Sequence, residues 1–277
     1  MHFKTWPAIT VSILQLALPN NAFSWGSEGH QIVAQIAARK LTPEAQKNIV
    51  ALLRSDPTDD LKLKAILGES GKPPAGALEK ALKIIATWPD RMPGGKGPTA
   101  PWHFVDIGLF EDPSHIAERC KGGACVSQKI TDLVDNLKAG QKLKVSQKPP
   151  KKTLVFGLPI ELRFLVHFLG DIHQPLHCAT NADAGGNCIK ETGYELQFPE
   201  LHAVWDTGLV VEVMGKGKRD TAGAIIKEFD GKLTVADVSP NDMAAESFEL
   251  ASCPAAHSHH RSFRRGDPIE VRHVSAA

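Results

Sequence analysis

The chain has 277 residues, 42% of them hydrophobic, with 32 basic against 31 acidic side chains. That is enough to bury a substantial core, near the upper size for one domain, so a single globular unit is expected. A formal charge of +1 excludes a broad basic surface of the kind that holds a nucleic-acid backbone. Any attraction for phosphate must be local.

Residues 1–24 read as a secretory leader, with Lys4 near the start, an apolar stretch from about Ile9 to Leu18, and the small residues Ala22 and Ser24 flanking a cleavage point. The stretch is too short to span a membrane. Cleavage after Ser24 would remove Lys4, bring the formal balance to zero and leave Trp25 first, with an α-amine of ordinary pKa about 7.7 to 8 that a metal can deprotonate. In WGSEGHQ, the Trp25 amine, a backbone carbonyl and His30 could then close on one ion.

The spacing of Ile32, Ala34, Ile36 and Ala37 predicts a helix running to Leu41, and Thr42-Pro43-Glu44 the cap and first turn of the next. Stripes at Leu78, Ala81, Leu82 and Ile85, and at Val126, Ile130, Leu133, Val134 and Leu137, predict two more. Proline and glycine loops fall at 71–76, 93–101 and 146–150. Pro159 suits the first turn of a helix carrying Leu162, Leu165, Leu169 and Ile172, with His167 and Asp171 on its inner side. A glycine-rich loop follows, then helices from about His202 to Val213 and near 222–229 and 241–251. Strand signals are sparse, so the fold class is all-α, with a short hairpin near 187–198. Residues 254–277 are rich in Arg and His without an apolar stripe and read as a disordered tail, leaving 25–253 as the folded domain.

Five cysteines in an exported chain favour disulfides. Cys120 and Cys125 bracket KGGA, Cys178 and Cys188 bracket TNADAGGN, and Cys253 is left over. The absence of any N-x-S/T site favours a bacterial envelope, so the chain is expected to be secreted or periplasmic.

The densest chemistry lies in LVHFLGDIHQPLHC and LHAVWDTG. His167 and Asp171 are four residues apart, as are His202 and Asp206, so each pair projects from one helix face. Imidazole and carboxylate together suit zinc, whose ligands lie at roughly 2 Å. With His177 just past Pro175, two such pairs imply more than one metal. Asp90 in ATWPDRM and His103 in PWHFVDIG join the set, although each alone is more often a cap carboxylate or a core histidine.

The ordered series WGSEGH, WPD, WHFVD, HFLGDIHQPLH, DAGGN, LHAVWD and AAESFELA, over roughly residues 25–251, resembles the zinc-dependent single-strand nuclease and 3'-nucleotidase family, within the phospholipase C/nuclease superfamily. The resemblance implies a helical domain with a trinuclear zinc cleft. Asp90, His103, His167 and Asp171 would hold one ion, Trp25, His30 and Asp171 a second, and His177, His202 and Asp206 the third. It also implies that Asp171 bridges two ions that share a nucleophilic hydroxide, that Asp90 orients this hydroxide, and that the third ion steadies the leaving oxygen. Phe104 and Asp106 would stack on and hydrogen-bond a nucleobase, and Asn187 of the DAGGN loop would also contact substrate.

Such an enzyme would be monomeric, would have no membrane partner, and would cut single-stranded DNA and RNA to 5'-nucleotides while also hydrolysing 3'-nucleotides. Two departures stand out: Pro93 occupies the place where many relatives carry an arginine, with Arg91 nearby, and the Arg/His tail replaces further helical sequence. The competing readings are a zinc-dependent phospholipase C and a non-catalytic zinc-binding remnant.

Overall fold

The computed structural model describes residues 25–56, 61–92, 97–140, 143–146, 153–196, 199–215, 220–229 and 238–252. The leader, Pro93, Cys253 and the tail lie outside the described residues. The chain is mostly helical, as the sequence implies. Helices α1 (Ser27–Lys40), α2 (Pro43–Arg54), α3 (Leu61–Leu67) and α4 (Ala77–Ala86) form the first half of the fold. Thr42 caps α2 by accepting from Ala45 N at 3.2 Å, with Pro43 in the first turn where its missing N–H costs nothing. The α4 stripe is legible because Leu78, Ala81, Leu82 and Ile85 are all buried.

Two 3₁₀ turns, Pro89–Arg91 and Gly97–His103, lead into β1 (Ile107–Gly108), α5 (Ile116–Arg119) and α6 (Val126–Ala139). After β2 (Leu143–Ser146) and β3 (Thr153–Phe156) comes α7 (Leu158–Asp171), with Pro159 in its first turn, and then a 3₁₀ turn over Pro175–His177 and β4 (Ala179–Thr180). The region from His202 is one helical run in three pieces: α8 (Leu201–Ala203), a π turn over Val204–Gly208, and α9 (Leu209–Met214). Helices α10 (Thr221–Glu228) and α11 (Pro240–Ser252) complete the described fold.

Helix α7 separates two apolar clusters. Leu162 packs with Leu53, Leu63, Leu67, Leu82 and Ile85 on one side. On the other, Ile160, Phe164, Phe168 and Ile172 pack with Ile130, Leu133 and Phe248. Phe164 and Phe168 are fully buried, each worth about 1.5–3 kcal/mol relative to exposure. A helix buried on both sides fixes the direction of whatever polar side chains it carries, and α7 carries His167 and Asp171.

Two expectations are corrected. Among the described residues near 187–198, which leave out 197 and 198, there is an isolated antiparallel bridge, Lys190 to Glu200, and no hairpin strand. The antiparallel pair is instead β2 with β3, from Leu143 opposite Phe156 to Ser146 opposite Thr153. Cys120 and Cys125 are bonded as read, but Cys178 and Cys188 are free. The Cys178 thiol turns into the core, 3.4 Å from Ile172 O, while Cys188 is exposed. Among the described residues no helix is long and apolar enough to cross a membrane.

Candidate metal centre

Of the nine expected metal ligands, the eight that are side chains gather into largely buried His/Asp groups. Three sets have candidate donor atoms within 4.8 Å of one another: His30, Asp90 and His167; His103, His167 and Asp171; and His177, His202 and Asp206. The first two share His167 and form one group, anchored on α1 and α7 and joined by Asp90 and His103 from 3₁₀ turns.

Asp171 is at the centre of that group. Its Oδ1 lies 3.2 Å from His30 Nε2, and its Oδ2 lies 2.9 Å from His103 Nδ1 and 3.3 Å from His167 Nε2. Asp90 Oδ1 approaches His167 Nε2 at 3.5 Å from the turn after α4, and at 12% side-chain exposure it is the more open of the two carboxylates. The His167 ring is oriented from behind, since its Nδ1 donates to Ala86 O at 2.7 Å and leaves Nε2 facing the acids. His30 stacks on it, with ring centroids 3.9 Å apart. This requires α1 and α7 to touch where Gly170 has no side chain, because a Cβ there would sit 2.7 Å from His30 Nδ1.

Electrostatics show what the group stabilises. Burial alone would lower the His167 pKa, but Asp171 and Asp90 outweigh it and push the imidazole up to about 10. Burial would raise Asp171, yet the neighbouring His167, His103 and His30 hold it well below the usual carboxylate range. His30 is lowered by burial and then by His167. Two carboxylates in a water-excluded space demand positive charge nearby, which one protonated imidazole meets and which a divalent cation would meet better. The donor set therefore fits a metal.

The second group rests on shorter segments. His202 Nε2 lies 3.3 Å from Asp206 Oδ2 across the start of the π turn, and His177 Nε2 lies 4.0 Å from Asp206 Oδ1. Such turns recur at functional sites because they re-aim one side chain within a helix. His202 Nδ1 donates to Gly185 O and His177 Nδ1 to His103 O, both at 2.7 Å. Gly185 reaches this position with φ +62°, and a Cβ on it would meet Leu176 O at 2.5 Å. Ala182 and Ala184 in the same loop are also left-handed, a conformation that costs an alanine roughly 1–2 kcal/mol. Buried Gln174 locks the group, donating Nε2 to Asp206 Oδ1 at 2.5 Å and accepting from Leu176 N at 2.5 Å.

Trp25 is half-buried beside both groups. Gly26 N donates to Asp206 O at 2.7 Å, and the Trp25 ring lies against Gly29 in the turn that presents His30. The segment after His103 is tied to the centre by Val105 N, which donates to His177 O at 2.8 Å, and β1 then pairs in parallel with β4. Phe104 is half-buried and Asp106 exposed at its edge. The Asp106 carboxyl is raised by partial desolvation and then by Asp183, with Arg119 pulling it down. Asn187 folds its amide back to Ala184 O at 2.7 Å. Arg91 is committed to the end of α4, donating from Nε to Thr87 O at 3.2 Å and from Nη2 to Thr87 Oγ1.

Sequence reasoning missed the carbonyls of Ala86 and Gly185 and the amide of Gln174. The only available signal was the position of the last two inside QPLH and DAGGN.

Comparison with known proteins gives the family to which this sequence is similar. The sequence model described as S1/P1 Nuclease matches residues 25–265. Endonuclease 3 of Arabidopsis thaliana is 29% identical over 262 residues, covering 87% of this chain and 79% of that protein. Endonuclease 2 of the same plant is 30% identical over 208 residues (73% and 61%), and Nuclease P1 of Penicillium citrinum 30% over 200 residues (69% and 60%). The chain thus spans between about three-fifths and four-fifths of the length of these relatives.

Proposed function

This chain belongs to the S1/P1 nuclease family, and from that premise we propose that it is a zinc-dependent endonuclease cutting single-stranded DNA and RNA to 5'-nucleotides, with 3'-nucleotidase activity at the same site. Relatives named endonucleases make it a hydrolase of phosphodiester bonds. The observation that carries the reading is the convergence of three buried His/Asp sets on one place with the Phe104–Asp106 segment hydrogen-bonded to it.

In this reading Asp90, His103, His167 and Asp171 would hold one zinc, Trp25, His30 and Asp171 would hold a second, and His177, His202 and Asp206 would hold a third. Export and cleavage after Ser24 would free the Trp25 amine for its part, and the seating of Gly26 on Asp206 supports that position. When bound, zinc supplies Lewis-acid polarisation of a phosphoryl oxygen and lowers the pKa of water to about 7, giving a nucleophile near neutrality.

The chain's own residues do the rest. Asp90, at the open edge of the group, orients the attacking water. Ala86 O, His103 O and Gly185 O hold three imidazoles in the ring orientation that leaves Nε2 toward the centre. Phe104 offers a face to an unpaired base, worth about 1–3 kcal/mol per stacked base, and Asp106 accepts from the base edge. A duplex hides those faces, which gives the single-strand preference. Asn187 contacts the bound nucleotide from the loop that also positions His202.

The test uses the exported full chain loaded with zinc. Acid-soluble nucleotides are expected from denatured DNA and from RNA, with far slower release from duplex DNA, phosphate release from a 3'-nucleotide, and loss of all of these with a chelator. Phosphocholine release from lecithin without nucleotide release would overturn the proposal, as would three bound zinc ions with no chelator-sensitive nuclease activity.

A further inference from the structure

Phe110 is 94% exposed, the most exposed large hydrophobic side chain among the described residues. Leaving a phenylalanine in water forgoes about 1.5–3 kcal/mol of burial. The turn that carries it is braced. Glu111 N donates to Gly108 O at 2.8 Å, Gly108 N donates to Glu111 Oε2 at 3.2 Å, and Glu111 Oε1 is paired with Arg119 Nη2. A Cβ on Gly108 would strike the Glu111 carboxyl at 2.9 Å, so the glycine is what allows that carboxylate to fold back. On the other side Leu109 N donates to Thr180 O at 3.0 Å, fixing the turn to β4 and the loop that contains Asn187.

This turn continues the segment that carries Phe104 and Asp106. Phe110 is four residues past Asp106, within roughly 14 Å even along fully extended chain. Arg119 pairs with Glu111, the residue after Phe110, so a partly exposed guanidinium is held next to this turn. A fixed aromatic face, a nearby guanidinium and a short distance from a base site together match the way single strands are held, with bases on rings and phosphates on cations.

We propose that Phe110 is an outlying stacking platform for a second unpaired nucleobase of the same strand, with Arg119 facing the phosphate that links it to the base at Phe104 and Asp106. This rests on the nuclease reading above. The site lengthens the footprint on the strand and favours oligonucleotides over mononucleotides.

Phe110→Ala and Phe110→Trp in the zinc-loaded full chain test it. For a single-stranded decanucleotide, Phe110→Ala is expected to raise KM about fivefold, the lower end of one base–aromatic stack, with kcat unchanged. The inhibition constant of a 5'-mononucleotide should not move, and Phe110→Trp should restore the decanucleotide KM. An unchanged decanucleotide KM in Phe110→Ala, or an equal loss of mononucleotide binding, would overturn the platform while leaving the nuclease reading intact. Absence of any nucleic-acid cleavage by the unsubstituted protein would instead sink the underlying reading.

Discussion

The group around Asp171 is anchored on two long helices, with His167 and Asp171 on α7, His30 on α1 and Gly170 letting the two touch, while Asp90 and His103 reach it from 3₁₀ turns. The group around Asp206 stands on a 3₁₀ turn, a π turn and a glycine loop, and Gln174 and Gly185 O hold it in place. The donors are of the same kind in both. In the first group the direction of His167 and Asp171 follows from burying α7 between two apolar clusters, whereas in the second the orientation depends on a few hydrogen bonds to strained or irregular backbone. A fault in the loop should therefore damage one group and spare the other.

The largest effect is expected from Asp171→Asn, which removes the carboxylate shared by His30, His103 and His167. Nuclease activity should fall by more than about 100-fold. Zinc content, measured by native mass spectrometry, should drop by about two ions, and near-normal turnover would contradict the bridging role.

Gly185→Ala tests the loop-backed group alone. The new Cβ would collide with Leu176 O on a left-handed backbone, displacing the carbonyl that orients His202. Activity should fall roughly 10- to 100-fold with loss of about one zinc, and loss of all the metal would mean that the two groups are not separable in this way. Gln174→Leu keeps the backbone and removes one amide. A decrease of about tenfold in kcat, with the zinc of the helix-backed group retained, is the expected outcome.

The smallest effect lies outside both groups. Glu79 accepts from Arg39 and Gln35 on the partly exposed faces of α4 and α1. Arg39, then Gln35, holds its carboxyl below the usual range against the opposing effect of burial. A lowered folded pKa gives stability that is present above the unfolded value and lost as pH falls through the folded one. Glu79→Gln should cost at most about 1 kcal/mol at neutral pH, and the difference in Tm should vanish in acid. A difference that persisted there would assign the effect to packing.

How much of this was legible in the sequence follows the same division. His167 and Asp171 could be read from a four-residue step on a helix announced by Pro159 and an apolar stripe. His202 and Asp206 could be read as a pair, but the π turn between them could not, because it depends on tertiary packing and not on local propensity. Gln174 and Gly185 act through close approach to distant backbone, which leaves no periodic trace. The β2–β3 pair was hidden because its short strands flank a lysine- and proline-rich run. The spacing of Cys178 and Cys188 suggested a bridge, but the Cys178 thiol faces the core.

His103 belongs to both groups at once: its ring faces Asp171, and its carbonyl receives the Nδ1 proton of His177. A single residue thereby works as a spacer bar, with its ring on one half of the centre and its carbonyl on the other. Substitutions that shift the 103–105 backbone should therefore disturb both halves together, where a change at Gly185 disturbs one.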